Sequence, residues 1–339
     1  MRHKIHQIFD RPRPWKKLRA GRTPAEVYTV RTGDGVTLKL RRVRPPSFGA
    51  VKATAMLLHG LGANHKGYHF PERSMAMWLA ERGIDVWMPD LRGHGDSRVE
   101  RFDWCIDDYL EKDIPAILDG IRRFSGTDEV HWVGHSMGGI LLMAYGALRP
   151  QAPIARGITL ASALDYGVGE SSFAALLALR PVLERMVAVP FGSLTHLLAP
   201  AMGRGATRPL ESFNVWPSNI EPELVRALHA RCFHTIPISL LRSLATTFEP
   251  GGLCLQSGVR ILEAAPKFEV PIRMFAGTRD AQVSVEAVEL TAQLIGDNAE
   301  PVVCGLDYGH EDHYGHWDLL IGKRAQREVW PQIYEWLVH

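Results

Sequence analysis

Six short apolar runs, separated by segments with helical periodicity, constrain the fold of this chain more than any other feature. The runs do not alternate apolar and polar residues, and continuous apolar runs are the pattern expected of strands that are buried on both faces. They are Ala53–Leu58, Asp85–Met88, Val130–Val133, Gly157–Ala161, Ile272–Ala276 and Pro301–Cys304. Strands that alternate with helices in this way form a mostly parallel sheet with helices on both faces. We therefore predict an α/β fold.

The segments around these runs complete the predicted architecture. Glu26–Arg31 and Val36–Arg41 alternate apolar and polar residues on either side of a Gly-rich turn, which predicts an N-terminal antiparallel hairpin. Helices are predicted at Arg73–Arg82, Tyr109–Phe124, Met137–Leu148 and Ser284–Ile295, with Trp317–Val338 closing the chain.

Residues 164–258 break the strand–helix alternation. This segment is rich in Leu, Ala and Pro, with helical patches at Phe173–Val189 and Glu221–Phe233. Because so much apolar sequence must cover another surface, we expect a helical cap inserted into a core formed by residues 26–163 and 259–339. Extra helices packed on the sheet edge are the alternative.

Composition excludes several classes of partner. The net charge of +2 gives no strong field for nucleic acid. Basic residues crowd only residues 1–25, which are predicted to be a solvated arm, with peripheral membrane contact as the alternative. The four cysteines are scattered and no apolar stretch follows the first basic residues, so we expect a cytoplasmic protein without a signal peptide. The sequence does not address oligomeric state.

The sequence Gly134-His-Ser136-Met-Gly138 joins an apolar run to a helical run. A Ser at such a strand–turn–helix junction is held in a strained conformation, and side chains at the two flanking glycines would collide with neighbouring backbone. The helix N-terminus favours negative charge developing there. Ser136 is therefore the predicted nucleophile.

A nucleophilic Ser requires donors for the oxyanion of a tetrahedral intermediate. The loop that begins His59-Gly60-Leu61 follows the first buried run, where half of such a site would lie. We predict the backbone N–H groups of Leu61 and Met137 as donors. His59 is expected to order the loop without taking up a proton.

The nucleophile also requires a base and an orienting carboxylate, and in the α/β fold predicted here the three follow in the chain order Ser, Asp, His. Asp280 lies in the loop just after the run Ile272–Ala276 and is the predicted carboxylate. The alternative is Asp165, which follows the run Gly157–Ala161. A solvated turn residue is the structural alternative for either position.

Three histidines follow the last apolar run and are candidates for the base. We choose His316, which directly precedes the closing helix, and expect His310 and His313 to line the loop. Interleaved carboxylates make a zinc or calcium site the alternative for this cluster, although no metal is predicted.

Together these motifs resemble the α/β-hydrolase superfamily, over a core from about Glu26 to Val338. The resemblance rests on the two Gly-containing loops named above, on Asp90-Leu-Arg-Gly-His-Gly-Asp-Ser97 and on Gly277-Thr-Arg-Asp280. Thr32–Leu38 and Tyr314-Gly-His316-Trp-Asp318 are similar to the acid-lipase and esterase branch. In that branch the His of a His-x-Asp segment is the base, which implies His316 here.

The predicted function is hydrolysis of hydrophobic carboxylic esters through an acyl-enzyme, without a cofactor. A carbon–carbon bond hydrolase or an acyltransferase using the same triad is the alternative. A non-catalytic binding protein and metal-assisted hydrolysis at His310–His316 are further alternatives from other classes.

Overall fold

The computed structural model describes residues 25–46, 50–172 and 185–339. The strands are β1 (Glu26–Arg31), β2 (Thr37–Val43), β3 (Ala53–Leu58), β4 (Ile84–Asp90), β5 (Val130–His135), β6 (Ile154–Leu160), β7 (Ala188–Val189), β8 (Ile236–Pro237), β9 (Ile272–Gly277) and β10 (Ala299–Cys304). The α-helices are α1 (Met75–Ala80), α2 (Ile106–Asp108), α3 (Ile114–Ser125), α4 (Met137–Leu148), α5 (Phe191–Leu198), α6 (Arg208–Glu211), α7 (Pro222–Arg231), α8 (Ile238–Ala245), α9 (Ile261–Ala264), α10 (Val285–Ile295), α11 (Asp318–Ile321), α12 (Ala325–Glu328) and α13 (Trp330–Val338).

Eight strands form one sheet in the order β1-β2-β4-β3-β5-β6-β9-β10. Strand β2 runs antiparallel to both of its neighbours, and the pairs from β4 through β10 are all parallel. The predicted parallel sheet with an N-terminal antiparallel hairpin is thereby confirmed. Strands β7 and β8 form a separate antiparallel pair within the segment inserted between β6 and β9.

The sheet divides the apolar core into two layers. Every residue of β3 and β4 is buried. Neighbouring residues of β5 enter opposite layers, because successive side chains of a strand point to opposite faces: Trp132 belongs to the cluster that contains α4, and Val133 to the cluster that contains α13. Burial on both faces explains why these strands read as continuous apolar runs.

Helix α4 is almost entirely buried, and its first turn positions Ser136. Eleven of its twelve residues are buried, and it begins immediately after β5. The carboxyl ends of parallel strands meet at one edge of a sheet. The loops after β3, β5, β9 and β10 therefore converge at that edge.

Three predicted helices differ from the structure. The helix predicted at Tyr109–Phe124 begins with α2 and a π turn at Tyr109–Asp113, since Pro115 has no N–H to continue a regular α ladder. The closing segment forms α11, α12 and α13 rather than one helix, and α11 ends at Gly322. The described part of the helix predicted at Phe173–Val189, residues 185–189, is turn and strand.

The basic arm predicted for residues 1–25 lies outside the described residues, apart from residue 25. Among the described helices, none combines the length and the hydrophobicity that a membrane-spanning segment requires.

Candidate active site

Ser136 occupies the turn between β5 and α4 in a backbone conformation that L-residues rarely adopt. Its φ of 52° and ψ of −120° lie outside the broad allowed regions. Hydrogen bonds to the N–H and to the carbonyl of Ser136 hold the residue in this strained conformation. The Ser136 N–H donates to the carbonyl of Leu160 (2.9 Å), and Ser162 Oγ donates to the carbonyl of Ser136 (2.8 Å).

Neighbouring backbone atoms lie close to both glycines of this turn. A Cβ placed on Gly134 would overlap the carbonyl of Gly138, and one placed on Gly138 would overlap the carbonyl of Leu58. The turn can therefore sit against the end of β3 only when both positions are glycine.

The loop after β3 lies directly beside the Ser136 turn. A Cβ on Gly60 would lie 2.9 Å from Cβ of Ser136, and Leu61 and Met137 both line the cavity described below. His59 is buried with each ring nitrogen against the backbone: Nδ1 lies 2.9 Å from the Gly60 carbonyl, and Nε2 accepts from the Leu91 N–H (3.1 Å). Burial lowers the His59 pKa, so the neutral ring bridges two loops.

Asp280 and His316 form a buried pair at the same edge of the sheet. Nδ1 of His316 lies 2.8 Å from Oδ2 of Asp280, and both side chains are almost inaccessible to solvent. The other oxygen of Asp280 accepts the N–H groups of Gln282 (2.8 Å) and Val283 (3.1 Å). These contacts fix the carboxylate before any substrate binds.

The other sequence candidates have different partners. Nδ1 of His313 lies 2.8 Å from Thr278 Oγ1, and Nδ1 of His310 accepts from the Gly305 N–H (3.3 Å). Asp165 accepts from the N–H of Gly167 (2.8 Å). The structure thus brings His316 and Asp280 together, and it engages these three residues elsewhere.

One cavity of about 440 Å³ joins Ser136 and His316. Most of its lining is aliphatic or aromatic, and most lining residues belong to the segment inserted between β6 and β9. The lining comprises Gly60, Leu61, His135, Ser136, Met137, Ile140, Tyr166, Val189, Phe191, Leu194, Phe213, Asn214, Phe233, Ile236, Ile238, Leu241, Arg242, Leu244, Ala245, Thr247, Phe248, Gln282, His316 and Trp317. The volume falls within the usual range for small-molecule sites.

Sequence reasoning missed the part of the insertion that contacts the Asp280 loop. Gln282 donates from Nε2 to the Phe213 carbonyl (2.9 Å) and lies 3.2 Å from Asn214 Oδ1. Asn214 and Gln282 are 68 positions apart. Neither residue belongs to a motif, so the sequence carries no signal for this contact.

His135, inside the Gly-x-Ser-x-Gly turn, touches the His316 loop from the other side. Its Nε2 lies 3.1 Å from the His316 carbonyl, and its ring packs on Trp317 with centroids 4.5 Å apart. Burial, reinforced by the nearby His316, lowers the His135 pKa well below its usual value. A neutral His135 can donate from Nε2, so it anchors the backbone without competing for protons.

With this geometry in place, comparisons with known proteins are informative. The sequence model of the hydrolase family described as "Serine aminopeptidase, S33" matches residues 49–304, about three quarters of the chain. The matched range contains Ser136 and Asp280 and ends before His316.

Two of the curated relatives are lipases of vertebrates. A gastric triacylglycerol lipase of Mus musculus is 34% identical over 131 residues, which is 34% of this chain and 33% of that enzyme. Lipase member M of Homo sapiens is 31% identical over 131 residues, or 34% of this chain and 31% of its own length. The chain therefore spans about a third of the length of the curated relatives it matches.

Solved structures show the same fold. A thermophilic esterase from Thermogutta terrifontis aligns with a TM-score of 0.63 at 19% identity, covering 92% of this chain and 98% of its own. A monoacylglycerol lipase from Paleococcus ferrophilus aligns with a TM-score of 0.59 at 20% identity, over 92% and 98%. The fold and the family match together confirm the resemblance seen in the sequence: the chain is an α/β-hydrolase and belongs to the serine aminopeptidase S33 family of hydrolases.

Proposed function

We propose that this protein hydrolyses carboxylic esters of hydrophobic acyl groups through an acyl-enzyme. Ser136 attacks the ester carbonyl while His316 takes its proton, and Asp280 holds the imidazole in the tautomer whose Nε2 can accept it. The N–H groups of Leu61 and Met137 stabilise the oxyanion. His316 then returns the proton to the departing alcohol, and an activated water releases the acid.

The observation that carries this proposal is the shared cavity. Ser136 and His316 both line it, and the pairing of His316 with Asp280 across 2.8 Å leaves Nε2 as the nitrogen available for proton transfer. The names of the curated relatives support ester substrates, since they are lipases.

The composition of the cavity favours an apolar ester over an aminoacyl substrate. An enzyme that removes N-terminal residues needs an anion to hold the substrate ammonium group. Among the described residues that line the cavity none carries a carboxylate, and Arg242 is the only Lys or Arg. Aromatic and aliphatic side chains such as Phe191, Phe213 and Leu241 instead suit an acyl chain.

Residues 164–258 act in this proposal as a cap over a core of residues 26–163 and 259–339. Support comes from the lining, because Phe191, Phe233 and Phe248 all reach the cavity from the inserted segment. A cytoplasmic location is part of the proposal and is supported by four free cysteines. The expected partner is a small hydrophobic ester.

A panel of p-nitrophenyl esters from acetate to palmitate tests the function. We expect turnover that rises from acetate to medium-chain esters and is lost in Ser136→Ala. Transfer of the acyl group to an added alcohol, or cleavage of a vinylogous diketone in place of esters, would instead identify the acyltransferase or the carbon–carbon bond hydrolase. Turnover of aminoacyl p-nitroanilides without ester turnover would contradict the proposal.

A pair of matched variants tests whether the cavity holds the acyl chain. Leu241 lines the cavity, whereas Leu197 on α5 is 69% exposed and does not. Leu241→Trp should reduce turnover of long esters while sparing acetate, because the added volume fills the apolar space. Leu197→Trp should leave the chain-length profile unchanged. Identical profiles in both variants would place the acyl chain elsewhere.

A further inference from the structure

Asp318 is a buried carboxyl two residues after the proposed base, and it is not among the residues that line the cavity. One of its oxygens, Oδ2, accepts two backbone N–H groups at 2.6 Å each, from Gly315 and from Trp216. Gly315 directly precedes His316, while Trp216 belongs to the inserted segment. One carboxyl oxygen therefore joins the loop of the base to the segment that closes the cavity.

The backbone on both sides of His316 is tied in the same way. The Trp317 N–H donates to the Asn214 carbonyl (2.9 Å), and the His316 carbonyl lies 3.1 Å from His135 Nε2. Asn214 itself lines the cavity. The orientation of His316 therefore depends on contacts with a segment about a hundred residues earlier.

Further hydrogen bonds join the inserted segment to this loop. Asn219 Nδ2 donates to the His313 carbonyl (3.0 Å), and the Lys323 N–H donates to the Asn219 carbonyl (2.6 Å). On the more exposed side, Ser218 Oγ and Trp216 Nε1 both donate to Asp312. Residues 213–219, which we call the bracing segment, are therefore held to the loop of the base at Asn214, Trp216, Ser218 and Asn219.

We infer that Asp318 is a positioning residue for catalysis, which sets His316 and the bracing segment in one fixed arrangement through Oδ2. The inference rests on the proposed function, since it assigns His316 as the base. It adds that this part of the insertion is a permanent wall of the site, so that any opening of the cavity must occur elsewhere in the insertion.

The unused oxygen of Asp318 indicates which substitution should be tolerated. Within the described part of the chain, Oδ1 has no hydrogen-bond partner. The residue thus works as an acceptor for two N–H groups, and it needs no second acceptor. An Asn amide can supply the same single oxygen, whereas Ala leaves both buried N–H groups without a partner.

The experiment compares Asp318→Ala, Asp318→Asn and a control, Asp85→Asn. Asp85 is also a buried carboxyl, paired with Arg42 at 2.7 Å, but it lies at the amino end of β4, away from the site. Labelling of Ser136 by a small fluorophosphonate reports activation of the nucleophile. kcat and KM on p-nitrophenyl butyrate and the melting temperature are measured on the same proteins.

We expect Asp318→Ala to slow labelling and lower kcat on the order of ten- to a hundredfold, because small misplacements of a catalytic group are costly. Asp318→Asn should stay within about threefold of wild type. Asp85→Asn should melt at a lower temperature and label at the wild-type rate. Wild-type labelling in Asp318→Ala, or equal impairment of the Asn and Ala variants, would overturn the inference.

Asn219→Ala keeps the test decisive if Asp318→Ala does not fold. Its side chain holds the bracing segment to the His313 carbonyl, so labelling should slow while Asp318→Asn remains near wild type. Unchanged labelling in Asn219→Ala would then overturn the inference. Failure of the proposed function is seen separately, as absence of Ser136 labelling in the wild-type protein.

Discussion

Nδ1 of His316 lies 2.8 Å from Oδ2 of Asp280, while the second oxygen of Asp280 is occupied by two backbone N–H groups. A carboxylate held in this way accepts a hydrogen bond from Nδ1–H and thereby favours the tautomer with an unprotonated Nε2. The loop after β9 therefore does more than bring a negative charge near the histidine. In the proposed mechanism it fixes which ring nitrogen faces Ser136.

Asp280→Asn should lower kcat on the order of 10⁴-fold, because an amide can stabilise the wrong imidazole tautomer. The KM for the ester should change little, since Asp280 does not line the cavity. The measurement is kcat and KM on p-nitrophenyl butyrate. Asp165→Asn is the matched control, since Asp165 caps a local turn through the Gly167 N–H. A large loss in Asp165→Asn with an active Asp280→Asn would transfer the role to Asp165.

Replacing each histidine of the final loop by Ala identifies the base. His316→Ala should lose on the order of 10³-fold or more in kcat/KM, because the proton acceptor is removed. His310→Ala and His313→Ala should stay near wild type, since these rings bond to Gly305 and Thr278 outside the cavity. A chelator should not abolish the activity of the wild-type protein, His310→Ala or His313→Ala. Loss of activity in all three variants, together with a wild-type activity that a chelator abolishes and added zinc restores, would point to metal-assisted hydrolysis instead.

The parts of the fold that the sequence predicts best are those dictated by local patterns. Strand β3 and helix α4 have the predicted bounds, because a run buried on both faces and a helix that starts at a glycine-flanked Ser each leave a sharp local signature. The prediction of one closing helix was wrong for a local reason as well, because Gly322 lies within the predicted range and caps the end of α11.

The arrangement of the bracing segment could not be predicted. Contacts such as Trp216 to Asp318 join residues 102 positions apart through backbone N–H groups, which every residue except proline carries. The identity of the donor residue therefore holds no information about such a contact. Asp318 stood out in the sequence only through its resemblance to a His-x-Asp segment, and that pattern does not reveal what its carboxyl accepts.

The glycines of the Ser136 turn should tolerate no side chain. Gly134→Ala should destabilise the protein by about 1–3 kcal/mol or prevent folding, because the methyl group overlaps the Gly138 carbonyl, which cannot move away easily. Urea unfolding and Ser136 labelling are the measurements. Gly33→Ala is the control, since a Cβ there meets nothing within 4 Å. Equal stability of the two variants would mean that the backbone around Gly134 has room for a methyl group.

Asp318 should make the stability of the protein fall as pH rises from about 4 to 8. Burial raises the Asp318 pKa to about 8 in the folded state, whereas an unfolded Asp titrates near 4. In that window the folded state binds more protons than the unfolded state, so the free energy of unfolding declines by up to about 1.4 kcal/mol per pH unit. Asp318→Asn lacks this titration. His59 and His135, whose pKa values are lowered below 6.5, titrate in the same way in both proteins, so their contributions cancel in the difference between the two free energies of unfolding. Between pH 5 and pH 8, the free energy of unfolding in urea should therefore fall more for wild type than for Asp318→Asn. A difference between the two proteins that does not change with pH would show that Asp318 is ionised throughout.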